Sequence, residues 1–292
     1  MALNTKEIRQ RIKGFKSTQQ ITKAMELVAA AKVRRVQTRA LAARPYAEKI
    51  REMFAAVTSQ LPVGEVQSQL LTQREVRNVL LIVVTSDKGL AGAYNTNVLR
   101  QAVNRAREWR EKGIEPQLIV VGTKGVNFFR HSNFKVVKTF QHLPQVPTFT
   151  EATLIVEEFT KLYIEGQVDR VEFIHTKFHS MLRYTPEVVT LLPAERTEQA
   201  ATTGFNAEYV FEPTASEMID DLIPTYLQTV VYQGMLESST SFFASQMTAM
   251  GAATKNAGEL IQHMTLVLNK ARQAAITQEI SEVVGGAAAL KA

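Results

Sequence analysis

The chain has 292 residues, of which 45% are hydrophobic and 21% charged, so it is long and apolar enough to bury a substantial core. It contains no cysteine, which excludes disulfides, thiolate metal sites, cysteine nucleophiles and thiol redox switches. The net charge of +6 is concentrated: residues 1–58 hold 13 Lys and Arg against four Glu, and the remainder is slightly acidic.

The opening MALNTKEIRQ has no apolar run behind its charges, so no signal peptide is expected. The most membrane-like stretch is 222–254, whose one charge is Glu237. Its Pro224, its glutamines and its many Ser and Thr would be costly in lipid, and it reads as a helix buried in protein. The chain reads as cytosolic.

Residues 5–58 read as one helix about 80 Å long at the rise of an α-helix. Ile8, Ile12, Phe15, Thr22, Met25 and Ala29 step by three, four or seven, the spacing of a coiled-coil seam. Alanine runs such as Val28-Ala29-Ala30-Ala31 either admit a close neighbour or simply favour helix. Arg44-Pro45-Tyr46 is expected to break or kink the helix, because proline removes a backbone donor. Lys13, Lys16, Lys23, Lys32, Arg34, Arg35 and Arg39 make a basic face that could meet nucleic acid, lipid head groups or an acidic protein. The stretch lacks aromatics for base stacking, which favours the acidic protein.

A polar linker over 61–78 leads to Val79–Val84, an unbroken apolar run typical of a strand covered on both faces. Asn95–Glu111 reads as a helix, Gln117–Val121 as a second strand, and Phe134–Phe140 as a third. Thr150–Glu165 reads as an amphipathic helix with Thr150 as N-cap, and Val171–Phe178 and Val188–Leu192 as further strands. Strands and helices alternating at this spacing predict a doubly wound parallel sheet. After a loop over 194–207, Thr214 and Glu217 form a capping box for a last helix of about 100 Å. Its seam is Ile219, Leu222, Ile223, Tyr226, Val230, Gly234, Leu260, Met264, Leu268, Ala271 and Ala275, and Gly285-Gly286 is expected to stop it. Two helices so long must cover each other and then project.

Few residues suggest chemistry. Asp87-Lys88-Gly89-Leu90-Ala91-Gly92 stands where a Rossmann fold carries its phosphate loop, but neither GxGxxG nor GxxxxGK[ST] is present. His175 and His179 have the spacing of a helical zinc pair, yet Val171, Phe173 and Ile174 argue for strand, which would hold the rings about 13 Å apart. No catalytic constellation, metal site or cofactor site is predicted.

Three ordered stretches carry a strong resemblance to the gamma subunit of the rotary proton-translocating ATP synthase, over nearly the whole chain. They are Ile21-Thr22-Lys23-Ala24-Met25-Glu26-Leu27-Val28-Ala29-Ala30-Ala31-Lys32 with Arg44-Pro45-Tyr46, then Ser86-Asp87-Lys88-Gly89-Leu90-Ala91-Gly92-Ala93-Tyr94-Asn95, and last Asn269–Ile280 running into Glu282 and Gly286-Ala287. The resemblance implies an α/β fold. The N- and C-terminal helices (1–60 and 208–286) would form a long antiparallel two-helix coiled coil, with a Rossmann-like parallel-sheet domain over 75–195 between them. It implies a non-catalytic rotor shaft without a cofactor, passing torque between the c-subunit ring and the catalytic ring of α and β subunits, with epsilon at its lower end.

Carried over by position, Lys23 and Met25 match the contact with the β subunit. Arg272, Gln273 and Thr277 match the upper bearing, and Arg44, Tyr46, Tyr209, Phe211 and Glu212 the end that meets epsilon and the c ring. Some relatives carry arginine at the position of Gln246, so the resemblance does not carry a charged contact over to it. Plastid members insert a two-cysteine segment ahead of the last helix, and Pro193–Glu208 has none. The resemblance also implies a peripheral protein on the cytoplasmic face of a bacterial plasma membrane, or on a thylakoid membrane, touching it only through the complex. The alternative is a basic coiled-coil scaffold or nucleic-acid-binding protein.

Overall fold

The computed structural model describes residues 5–60, 68–194 and 215–289. In chain order the elements are α1 (Thr5–Gln60), β1 (Val79–Val84), α2 (Tyr94–Glu111), β2 (Gln117–Val121), α3 (Thr123–Phe129), β3 (Lys135–Phe140), α4 (Phe149–Ile164), β4 (Arg170–Ser180), β5 (Arg183–Leu192) and α5 (Ala215–Ala289). Two compact units result. One consists of residues 30–245, and the other of 1–29 with 246–292.

In the larger unit the sheet order is β3-β2-β1-β4-β5. β1 pairs in parallel with β2 and β4, and β2 with β3. β5 departs from the parallel expectation: it runs antiparallel to β4. Only the turn Met181-Leu182 joins the two strands, too short for the crossover that a parallel partner requires. β5 also starts earlier than its apolar run suggested, at Arg183, and tolerates Pro186 because it is an edge strand.

Every residue of β1 is buried, and its two faces enter different cores. Val79, Leu81 and Val83 pack with Val98, Leu99, Ala102, Ala106 and Trp109 of α2, residues spaced to share one helical face. Leu80, Ile82 and Val84 face Ile155, Val156 and Phe159 of α4, Phe54 and Val57 of α1, and Ile223, Leu227 and Val231 of α5. Phe54 stacks on Tyr226 with ring centroids 4.1 Å apart. A third core joins Val33 and Val36 of α1 to Leu236, Phe242 and Phe243 of α5 and to Tyr94. The N-cap of α4 is Thr148, two residues before Thr150, and its amide donates to the Glu151 carboxylate at 2.7 Å.

The smaller unit is a pair of antiparallel helical segments. Thr22 meets Thr254 through a 2.8 Å hydroxyl bond, and Glu26 lies against Gly251 and Gln19 against Gly258. Ile8, Thr22, Ala29, Met250 and Ala257 are buried, and Ile12, Phe15 and Met25 are half-buried, so the α1 seam is where its spacing put it. On α5 the seam shifts: Ala257 and Ile261 turn inward, while Leu260 is 43% exposed. Ala275 is exposed as well, since Ala271 is the last half-buried one among the described side chains of α5.

Neither Pro45 nor Pro224 ends its helix. Burial on both sides of Pro45, at Val36 and at Ala47 and Ile50, holds the helix across the missing donor. Gly285 and Gly286 do not stop α5 either: neither adopts the left-handed conformation a glycine stop uses, and the helix runs on to Ala289.

Candidate functional site

The turn after β1 is a structural junction rather than a phosphate cradle. The Asp87 carboxylate accepts from the Thr123 amide at 2.8 Å, the Thr123 hydroxyl at 2.6 Å and the His142 amide at 3.2 Å. These bonds outweigh the cost of its burial and hold the carboxyl below the usual range. Thr85 bridges the strands: its hydroxyl donates to Val121 O at 2.8 Å and accepts from the Gly125 amide at 2.9 Å. Gly122 is required there, with φ of 93° and Thr85 O only 2.3 Å from where a Cβ would stand. The Thr123, Gly125 and His142 amides around the turn are bonded to its own Thr85 and Asp87 side chains, and the Ser86 amide donates to Asn95 Oδ1 at 3.1 Å. The cavity beside the turn is about 90 Å³, below the ~300–1,000 Å³ of drug-sized ligand sites.

The two histidines both lie on β4 and do not converge. His175 is buried and stacked on Phe173 with centroids 5.0 Å apart, and burial pushes its pKa down to about 4, so it is neutral. His179 is bonded to the Thr185 hydroxyl at 2.9 Å. Among the described residues no group of three His, Asp or Glu could hold a metal ion.

A buried charge cluster escaped the sequence reading. Glu172, flanked by Val171, Phe173 and Ile174 in β4, is fully buried and accepts from Arg105 at 2.6 and 2.7 Å, from Arg170 at 2.9 Å and from Trp109 at 3.1 Å. Burial alone would raise this carboxyl, but the donors prevail and hold it low. Its hint in the sequence is a single acidic residue at an inward register position. The cluster ties α2 to β4 and presents no charge to a ligand.

The residues matched to partner contacts lie on helix surfaces. Lys23 is half exposed and bonds Glu26 on its own helix at 3.2 Å, while Met25 turns partly inward. Arg272, Gln273 and Thr277 are exposed on neighbouring turns of α5, and the Thr277 hydroxyl is bonded to Gln273 O at 3.0 Å. At 1.5 Å rise per residue this group is about 27 Å along the axis from Thr254, the residue opposite Thr22, so the two groups form no common site. Arg44 and Tyr46 are exposed in the larger unit. Tyr209, Phe211 and Glu212 lie outside the described residues. Beyond Ala271, all described side chains through Ala287 are exposed, including the aliphatic Ile276, Ile280, Val283 and Val284. No helix among the described residues is long and apolar enough to cross a membrane.

The model of the ATP synthase family matches residues 4–290. Among similar proteins, the ATP synthase gamma chain of Desulfitobacterium hafniense is 42% identical over 288 residues, covering 99% of both chains. That of a Cyanothece strain is 41% identical, again over 99% of both, in an alignment of 313 residues. The alignment is longer than this chain, so the Cyanothece protein carries residues that this chain lacks. Among solved structures, one of the Tetrahymena thermophila mitochondrial ATP synthase central stalk and c ring matches 80% of this chain and 99% of its own, with TM-score 0.61 and 26% identity. A chain of the Euglena gracilis mitochondrial ATP synthase shares the fold over 98% of this chain and 94% of its own, at TM-score 0.68 and 18% identity. A full-length match to curated gamma chains, over a two-helix pair joined to an open α/β sheet, places this chain in the ATP synthase gamma-chain family.

Proposed function

We propose that the chain is the central rotor shaft of a proton-translocating ATP synthase, a non-catalytic subunit that transmits torque between a c-subunit ring and a catalytic ring of α and β subunits. One observation carries this beyond family membership. α5 continues past Ala271 with four exposed aliphatic side chains that no described part of this chain covers. Such an end needs an external sleeve, and a ring of other subunits supplies one. The asymmetric pair of helices then biases which conformation each surrounding catalytic site adopts as it turns.

In this reading Lys23 and Met25 meet the β subunit and Arg272, Gln273 and Thr277 the upper bearing. Arg44, Tyr46, Tyr209, Phe211 and Glu212 face epsilon and the c ring. The complex holds the chain at the cytoplasmic face of a bacterial plasma or thylakoid membrane. The absence of GxGxxG and GxxxxGK[ST] from the turn after β1, and the Asp87 carboxylate that occupies it, support a chain that binds no nucleotide itself.

The cysteine-free sequence makes the test direct. Leu182→Cys, on the 85% exposed β4–β5 turn, provides one attachment point for a bead on a complex immobilised through its α and β subunits. The bead should rotate in one direction during ATP hydrolysis. Hydrolysis with a stationary bead would overturn the proposal.

A further inference from the structure

At the carboxyl ends of β1 and β2, in the larger unit, lies a cavity of about 90 Å³ that the rotor reading does not use. Its wall is mostly apolar, with Val84, Val121, Leu143, Met235, Phe242 and Phe243. Its polar lining includes Ser86, Ser238, Ser239 and Lys88. A second lysine stands at the rim: Lys32 of α1 bonds the side-chain oxygen of Gln145 at 2.5 Å, and its ammonium lies 5.3 Å from the centre of the Phe243 ring. Both Gln145 and Phe243 line the cavity.

The charge here is unbalanced. Lys32 and Lys88 have no carboxylate partner among the described ion pairs. The nearest acid on the turn, Asp87, is already committed to Thr123 and His142. Partial burial and, after it, the Lys88 charge lower the proton affinity of Lys32, as expected of a second ammonium group at the same cavity. A fold gains nothing from such a pair, whereas an anion between them removes the repulsion and takes charge-assisted hydrogen bonds. The dry walls behind them favour an apolar tail, and the volume admits about three to five heavy atoms, against the 150 Å³ that holds a benzene.

We infer that this cavity is a binding site for a small amphipathic anion, its carboxylate or phosphate head between Lys32 and Lys88 and its short aliphatic tail against Val84, Val121, Met235 and Phe242. The site is independent of the rotor reading, which stands whether or not it is filled. A nucleotide is too large for it.

Saturation-transfer NMR on the full-length chain tests the inference with four probes: pentanoate, pentyl phosphate, 1-pentanol and inorganic phosphate. The two amphipathic anions should bind, and the ratio of their affinities identifies the preferred head. Pentanol forfeits the charge-assisted bonds and inorganic phosphate forfeits the burial of the tail, so each should bind at least about tenfold more weakly. The double variant Lys32→Gln, Lys88→Gln should lose about tenfold in affinity for pentanoate with an unchanged circular-dichroism melt. Leu143→Trp fills the cavity from its rim, keeps both lysines, and should abolish binding of the tailed anions. Equal binding of pentanol and pentanoate, an unaffected double variant, or no transfer to either tailed anion would each overturn the site.

Discussion

At the residue scale, the close contacts concentrate where the long helices cross the sheet. Gly234 of α5 sits over Phe173 and His175: a Cβ there would lie 2.3 Å from Phe173 Cε1 and 3.3 Å from His175 Cγ. Both rings are buried, so neither can swing aside. Gly234→Ala gains about 1 kcal/mol of helix propensity but forces an overpacked core, and the net outcome should be a loss of about 1–3 kcal/mol, read as a lowered urea midpoint. An unchanged midpoint would mean that α5 can lift from the sheet at no cost.

Glu172 gives a second residue-scale expectation. Glu172→Gln removes the buried carboxylate shared by the part-buried Arg105 and Arg170, leaves Arg105 with Glu108 alone, and should cost about 3 kcal/mol near neutral pH. The folded carboxyl is held below its ordinary value of 4.5, so its stabilisation is present above that value and is lost as pH falls through the lower, folded one. The gap between wild type and variant should therefore close in acid, and unfolding curves at neutral and acid pH would show whether it does. Single residues were the least legible level of the sequence. Spacing could show that His175 and His179 do not form a metal pair, because strand geometry separates them. It could not show that Glu172 is buried, because the partners that permit its burial come from α2 and from the start of the same strand. It also put the cap of α4 at Thr150 rather than Thr148, since both threonines can cap and only the Glu151 contact distinguishes them.

At the scale of elements, the apolar runs were reliable because burial on both faces leaves no alternative to a covered strand. The edge strand β5 was half missed, since its exposed half and Pro186 carry no alternation to read. The helix stops were overread for a related reason. Pro45 and the Gly285-Gly286 pair are local signals, and packing on either side overrides the first of them. Among the elements, α1 has the exposed charge most suited to testing coupling apart from folding. The Lys23 side chain is 54% exposed, and its bond to Glu26 is a surface pair worth less than about 1 kcal/mol. Lys23→Glu should leave the melting curve and assembly almost unchanged. If the proposed contact with an acidic part of the β subunit exists, the reversed charge raises the energy of some rotor angles, and ATP-driven proton pumping should fall while ATP hydrolysis continues. Pumping at the wild-type ratio to hydrolysis would remove Lys23 from that contact.

At the scale of the molecule, the two long helices and the sheet between them were legible because each follows from a pattern longer than any single error. What the sequence could not locate was where the helix pair ends. A seam drawn through Ala275 implied cover over that whole length, but α1 begins at Thr5, and antiparallel pairing from Thr22 opposite Thr254 exhausts it near Ala271. The remaining stretch of α5, through Ala287, is exposed. This separates stability from function in a way that two truncations can measure. Removing residues 283–292 deletes no described contact, and removing 272–292 deletes only bonds internal to one helix, such as Thr277 to Gln273. Both chains should therefore melt within about 0.5 kcal/mol of the full-length protein, as surface changes do. Their effects in the assembled complex should differ. The short deletion should slow hydrolysis-driven pumping while preserving assembly, because Arg272, Gln273 and Thr277 remain. The longer one removes the whole proposed bearing and should reduce pumping further, with a larger loss of torque per ATP. If the short deletion already destabilises the isolated chain, the projecting end has a partner within its own fold. Equal pumping by the two truncations would place the bearing elsewhere on the shaft.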